Sequence, residues 1–241
     1  MYLRENLRSL RAKKHDVGSG CGKPLDIVFQ NAHFLVANKP AGIPVQPDPT
    51  SDISLLDLLE QQCKQPLFLI NRIDRPASGL VLFAKTKSDA ALLSAQFKAR
   101  TIEKTYLTVV KNAPVPPEAV LTHFIKAKKS DANTVLALAK QQPNTEKATL
   151  QYSTIGSTAV YTFLKIKLET GRHHQIRAQL AAIGSPIKGD VKYGARRANQ
   201  DRSIHLHSWH IALHDPATNE ILTFTAPLPN ETLWQAAMNF L

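Results

Sequence analysis

Residues 71–86, NRIDRPASGLVLFAKT, place the tightest limit on what this chain can fold into. Leu80 to Ala84 is an unbroken apolar run of strand length, and a run of that kind suits a strand buried on both faces. Such a strand cannot lie at the surface, because something apolar has to cover each side. Pro76 and Gly79 predict a tight turn just before it. Asp74, set between Arg72 and Arg75, then falls on a loop at the mouth of a packed sheet, where reactive groups are often carried. Two neighbouring guanidiniums favour the charged form of a carboxylate. An ionised carboxylate serves as a nucleophile or a base, not as a general acid. An ordinary surface ion pair is the other reading of the same residues.

The pattern elsewhere supplies the sheet and its cover. Ile27–Phe29 and Phe34–Val36 read as two strands joined by a turn over Gln30–His33, and Lys39-Pro40-Ala41-Gly42 ends the second. Asp52–Gln62 reads as a helix with leucines on its apolar side, and Thr86 or Ser88 caps another that runs to about Arg100. Residues 104–110 form a strand, and residues 126–147, polar and poor in aromatics, an exposed excursion or hairpin. Between Ala159 and Leu168, the side chains of Val160, Leu164, Ile166 and Leu168 share one face of a strand. A helix follows over His173–Ile183, ended by Gly184. Two late strands lie around Ile204–Leu213 and Ile221–Ala226. This irregular order predicts an α+β fold, a mixed and largely antiparallel central sheet flanked by helices. Residues 1–23 read as a flexible basic and Gly-rich tail, and residues 24–241 as one domain.

No apolar run approaches the roughly 20 residues of a membrane span, and the N-terminus lacks the apolar stretch of a secretory signal. Two cysteines, Cys21 and Cys63, make no disulfide framework. A reducing, cytoplasmic setting and a monomer away from membranes are expected. Thirty Lys and Arg against 19 Asp and Glu give a formal charge of +11, of which the five basic and two acidic residues of Met1–Asp16 contribute +3. A basic body favours a polyanionic partner, nucleic acid or an anionic surface.

Residues 171–194, GRHHQIRAQLAAIGSPIKGDVKYG, form the second distinctive stretch. Arg172 and Arg177 stand near the N-terminal end of its helix, where the dipole gives a cation nothing and a partner anion is needed. Asp74 and a phosphate are both candidates. Five of the nine histidines fall in two clusters, His173–His174 and His205, His207, His210. No carboxylate or cysteine stands at a zinc-like spacing from them, so no metal is expected. Tyr106 lies on its strand as packing or as something more. Nucleotide-binding loops, nucleophile-elbow serines and zinc-deaminase signatures are missing.

NKPAGIPV, NRIDRPASGLVLFAKT, EKTYLTVV and the stretch 171–194 resemble, in order and spacing, the motifs of the RluA-type RNA pseudouridine synthases, and residues 204–229 are similar to that family's last strand pair. The likeness covers about Pro24 to Trp234. It implies isomerisation of uridine to pseudouridine in RNA, with neither cofactor nor metal. Asp74 matches the catalytic aspartate, Tyr106 the active-site tyrosine and Arg177 the arginine that pairs with the aspartate. Arg72 matches a residue that fills the space of a flipped nucleotide, and Ile176 and the Leu80–Phe83 strand the apolar support of the pocket. Lys39, Arg75, Arg172 and Lys188 complete the expected substrate-binding set. The sequence departs from the family at Asn71 and Gln179, where histidine is common, and at Ala77, where threonine or valine is. Residues 1–24 are too few for the family's frequent S4 RNA-binding domain, so recognition is expected from the catalytic domain, the tail or an insertion. Large-subunit ribosomal RNA is the first expected target and transfer RNA the second. An idle RNA-binding relative and a histidine–metal hydrolase are the competing readings.

Overall fold

Strand β4, Ser78–Ala84, is buried along its whole length, and its alternate side chains enter two different cores. In the computed structural model, which describes residues 25–128 and 131–241, Leu80, Leu82 and Ala84 pack with Phe34, Val36, Leu93 and Ile211. Val81 and Phe83 point the other way, toward Leu35, Ala37, Leu55 and Leu59. Helix α1 (Leu55–Cys63) covers the second face and α2 (Lys87–Ala99) the first. The expected tail at residues 1–23 lies outside the described residues.

The helix ends follow from local chemistry. Ser54 begins α1 through a capping box with Asp57, so the helix starts three residues later than Asp52. Thr86 accepts from the Asp89 N–H at the start of α2, and Arg100 ends it in the left-handed conformation.

The hairpin β1 (Ile27–Gln30) and β2 (Phe34–Lys39) leads into β4, and β3 (Phe68–Leu69) pairs with the far end of β4. The other strands are β5 (Glu103–Val110), β6 (Glu118–Lys128), β7 (Asp131–Leu138), β8 (Glu146–Ser157), β9 (Thr162–Leu168), β10 (Leu206–His214) and β11 (Ile221–Thr225). They make one sheet in the order β1-β2-β4-β10-β5-β9-β8-β6-β7, with β11 on β10. Among the described residues β4 and β10 are the one parallel pair, so the sheet is mixed and largely antiparallel as expected. Helices α3 (Gln175–Ala182) and α4 (Thr232–Ala237) complete the cover, α3 over Leu150, Leu164 and Ile166, and α4 setting Trp234 on Leu107, Val109 and Phe163.

Two stretches depart from the expected pattern. The polar segment 126–147 holds the β6–β7 hairpin, but β6 and β8 extend well beyond it on either side. The outer face of β6 is exposed, so its alternate polar residues disguise a long strand. Val160 is exposed in the turn before β9 and does not join Leu164, Ile166 and Leu168 on the inner face.

The β4–β10 contact spans only two residue pairs, His207–Ser78 and Ser208–Gly79. Farther along, the same edge of β4 is taken by β3, and between the two the sheet forks. The chain from β3 to β4, residues 70–77, fills the fork: the Leu82 N–H donates to Asn71 Oδ1 at 2.7 Å, and the Ile70 N–H to the Leu82 carbonyl at 3.0 Å. The expected turn closes earlier than Gly79, by an Ala77 N–H bond to the Asp74 carbonyl at 3.0 Å. Gly79 instead lies in β4 with φ +110, and a Cβ there would overlap the Ser208 backbone. Gly79→Ala should therefore cost roughly 3 kcal/mol or more by strain and overpacking. A urea midpoint close to that of the parent protein would show that the parallel contact does not need a glycine.

Candidate active site

Arg177 organises the site. It is nearly fully buried on α3, and its Nε and Nη2 grip Asp190 at 2.6 and 2.8 Å while Nη1 reaches Asp74 Oδ2 at 3.0 Å. Its guanidinium also lies 4.8 Å from the centre of the Tyr193 ring. Burial by itself lowers an arginine's pKa; the hydrogen bonds and charge of Asp190, with those of Asp74, outweigh it and leave the group above its ordinary value. The planar fork matters: one side fits a carboxylate in two prongs and the third donor stays free for Asp74.

The cation beside Asp74 is thus Arg177 and not its sequence neighbours. Arg72 is exposed on the rim of the cavity. Arg75 turns away, donating from Nε to the Gly42 carbonyl at 2.8 Å and from Nη1 to Thr50 at 3.0 Å, and pairing with Asp52. Lys39 is fully buried, and its Nζ donates to the carbonyls of Pro40, Ile43 and Arg75 at 2.9, 2.9 and 3.1 Å. Burial pushes its pKa down to about 7, against the pull of the Asp74 charge. With its ammonium capped by backbone, Lys39 braces the Asp74 loop and offers nothing to a ligand.

On the other side of Asp74 stands His174, in the left-handed conformation at the start of α3. The Tyr193 hydroxyl accepts from the Val135 N–H at 3.0 Å and lies 2.9 Å from His174 Nδ1. The other ring nitrogen, His174 Nε2, lies 3.7 Å from Asp74 Oδ2. Burial drives the His174 pKa down to about 4, although the Asp74 charge opposes it, so the ring is neutral at pH 7. His173 stacks on it at 3.8 Å. Asp74, His173 and His174 bring donor atoms within 4.8 Å of one another, but a cation there would have to displace or repel the guanidinium already on Asp74. Of the other histidines, His205 contacts Glu231 and Asn199, and His207 contacts Ser78.

These groups open onto a cavity of about 560 Å³. Its apolar wall is Ile70, Ile73, Phe97, Leu168, Ile176 and Leu206, whereas Leu80–Phe83 lies in the cores and does not reach it. Tyr106 of β5 forms part of the lining, and burial, with the Asp74 charge added and the facing Ser208 hydroxyl opposing, pushes its pKa up to about 12. Arg72, Lys98, Arg100 and Arg172 also line the cavity, and so does Lys104, which is buried with its Nζ 5.4 Å from the centre of the Phe97 ring. Arg172 pairs with Glu146 of β8 at 2.7 Å. Lys188 lines a different recess. Asp190 and Tyr193 are not among the site residues the sequence suggests, and His174 is there only as a member of a histidine cluster; the signal for Asp190 is an acid in the GD step of a stretch otherwise rich in arginine and lysine.

The lowered histidine sets an acid limit. Between about pH 6.5 and about pH 4 the unfolded chain binds a proton that folded His174 refuses, and the same holds for His207. Stability should be full above that window and fall as pH drops through it. His174→Gln should flatten the fall, measured by urea titrations from pH 7 to 4.5. An unaltered slope would show that His174 protonates freely.

The RNA pseudouridylate synthase family profile matches residues 33–182. The tRNA pseudouridine synthase C of Yersinia pestis is 31% identical over 89% of this chain and 90% of its own. The ribosomal large subunit pseudouridine synthase D of Nitrosomonas europaea is 31% identical over 90% of this chain and 66% of its own. The solved structure of human RNA pseudouridylate synthase domain containing 1 shares the fold, with a TM-score of 0.75 at 23% identity over 91% of this chain and 89% of that one. The profile spans the greater part of the chain, from the turn before β2 through α3, and the chain belongs to the RNA pseudouridylate synthase family.

Proposed function

We propose that the cavity isomerises a uridine of a folded RNA to pseudouridine, with Asp74 acting on the ribose. One observation carries the reading: an Arg177-held carboxylate in a cavity of about 560 Å³ with a tyrosine in its wall and exposed Arg72, Lys98 and Arg100 at its rim. The cations suit the phosphates of a strand, and the tyrosine a base drawn out of its stack.

The reaction breaks C1′–N1 and makes C1′–C5 with nothing added or lost, which needs no cofactor. Asp74 takes the C2′ proton as uracil leaves with the N1 bonding pair, giving a glycal. The uracil turns, C5 bonds to C1′, and Asp74 returns its proton to C2′. The C5 proton then has to leave and N1 has to gain one. Tyr106, with its pKa raised to about 12, is neutral at pH 7 and cannot stand ready as a phenolate. It acts as a relay: its oxygen takes the C5 proton while its own proton passes toward Asp74, Asp74 releases that proton to solvent, and solvent protonates N1. Arg177 and Asp190 position the carboxylate; Ile176 supports the base, and Arg72 and Arg172 meet the strand. The enzyme works as a monomer in the cytoplasm.

The target RNA has two readings. Large-subunit ribosomal RNA suits a catalytic domain similar to the Nitrosomonas enzyme. Transfer RNA is favoured by the fuller match to the length of the Yersinia enzyme. Mapping pseudouridines in both RNA pools, from cells with and without the protein, assigns the target by the site that disappears.

Asp74→Asn should abolish pseudouridine formation while changing stability by less than about 2 kcal/mol; measurable turnover would remove Asp74 from the chemistry. Tyr106→Phe should bind RNA and cleave the glycosidic bond, yet accumulate the C5-linked adduct that still carries its C5 proton, read by mass spectrometry of quenched digests. Turnover equal to the parent's would leave Tyr106 as a platform and give the proton transfer to Asp74 or water.

A further inference from the structure

A second basic recess lies at the end of β5, on the order of 17 Å along the strand from Tyr106. It encloses about 620 Å³ and draws Lys111, Lys188, Arg196 and Arg197 to one hollow, with Tyr161 and Asn199 in its walls. No aspartate or glutamate among the described residues lines it. Among the described residues, none of the four cations lies within 4.0 Å of a carboxylate oxygen. Four like charges turned toward one hollow repel one another unless an anion enters it.

The recess is built rather than incidental. Lys188 is half-buried, and its Nζ donates to Asn199 Oδ1 at 2.7 Å and stands 5.8 Å from the centre of the Tyr161 ring. The Asn199 amide is itself fixed by Ser203 Oγ at 3.2 Å and by the ring of buried His205 at 3.0 Å. Gly189 has φ +88, and a Cβ there would meet the Ser203 carbonyl oxygen at 2.6 Å, so the floor is closely packed. The next residue, Asp190, grips Arg177. A single tight segment thus holds the Asp74 clamp and presents Lys188 to the recess. The Lys188 N–H also bonds the Val109 carbonyl at 2.9 Å, which ties the segment to the strand that carries Tyr106.

We propose that this recess binds a phosphodiester of the same RNA strand, beyond the nucleotide that enters the Asp74 cavity. The inference rests on the RNA reading above. Arginine forks match phosphate oxygens in two prongs, and two exposed arginines beside a fixed ammonium form such a grip. The position, one strand length from the cavity, suits a strand that crosses both.

The test uses the full chain and end-labelled, unfractionated bacterial transfer RNA. R196A/R197A removes two exposed side chains and should weaken binding about tenfold. It should also flatten the slope of log K against log salt by about 1.4, or 0.7 for each lost contact to a single strand. R196K/R197K should keep most of the slope, which a purely structural defect would not. In parallel, acylation read by mass spectrometry should show Lys111 and Lys188 protected by the RNA and not by inorganic phosphate at equal phosphate concentration. An unchanged slope in R196A/R197A, or lysines still labelled when the RNA is bound, overturns the proposal. Equal protection by inorganic phosphate overturns it in favour of a free-anion site. Protection and slope loss in a protein that forms no pseudouridine would uphold the recess and sink the catalytic reading instead.

Discussion

The site depends on one guanidinium between two carboxylates. Arg177, Asp190 and Asp74 share little solvent: Asp190 is almost fully buried, Arg177 nearly so, and the Asp74 side chain is 21% exposed. Burying a charge is costly unless it is paired and hydrogen-bonded, and removing one partner leaves the other stranded. The two-pronged grip on Asp190 stabilises the arginine in place independently of Asp74. The third donor can then hold the Asp74 carboxylate without having to be fixed by it. That division leaves the Asp74 carboxylate oriented yet partly open to a ligand.

The fork in the sheet explains why Asp74 is where Arg177 can reach it. A β4 paired with one partner along its full length would leave no room for residues 70–77. Because β10 and β3 share that edge, the loop enters between them and carries Asp74 toward α3. Its other flank is stitched down by Arg75 and Lys39, through the Gly42 and Arg75 carbonyls. The loop is thus held from both sides, and its hydrogen bonds are mainly to backbone, which fixes position rather than charge.

What could be read from the sequence follows the range of the forces involved. The two-faced burial of Leu80–Ala84, the caps at Thr86 and Arg100, and the hairpin at Gln30–His33 depend on neighbours a few residues away, and the pattern of side chains displays them. The lengths of β6 and β8 were hidden because one open face mixes polar residues into the strand. The charge partners were harder still. Arg72 and Arg75 flank Asp74 in the sequence, but adjacent residues on a turn point apart, and the partner comes from Arg177, 103 positions away. The misplaced charge of Arg172 and Arg177 at a helix N-terminus left Asp74 as one candidate partner, and the resemblance chose Arg177; the flanking arginines alone pointed the wrong way. Lys39, grouped with the substrate-binding cations by its motif, is turned inward because the backbone around Pro40 and Ile43 offers it three acceptors.

The same sorting gives the basic charge its meaning. A formal +11 counts every lysine and arginine alike, yet they fall into two groups. Lys39, Arg75 and Arg177 are engaged by carbonyls and carboxylates of the protein itself, and a cation satisfied internally has little field left for a strand outside. Arg72, Arg100, Arg196 and Arg197 are exposed and, among the described residues, have no carboxylate within ion-pairing distance. Only cations of this second kind exchange counterions when RNA binds. They lie at the Asp74 cavity and at the recess beyond β5, so the proposed path of the RNA follows the cations that the fold leaves unanswered, and not the total.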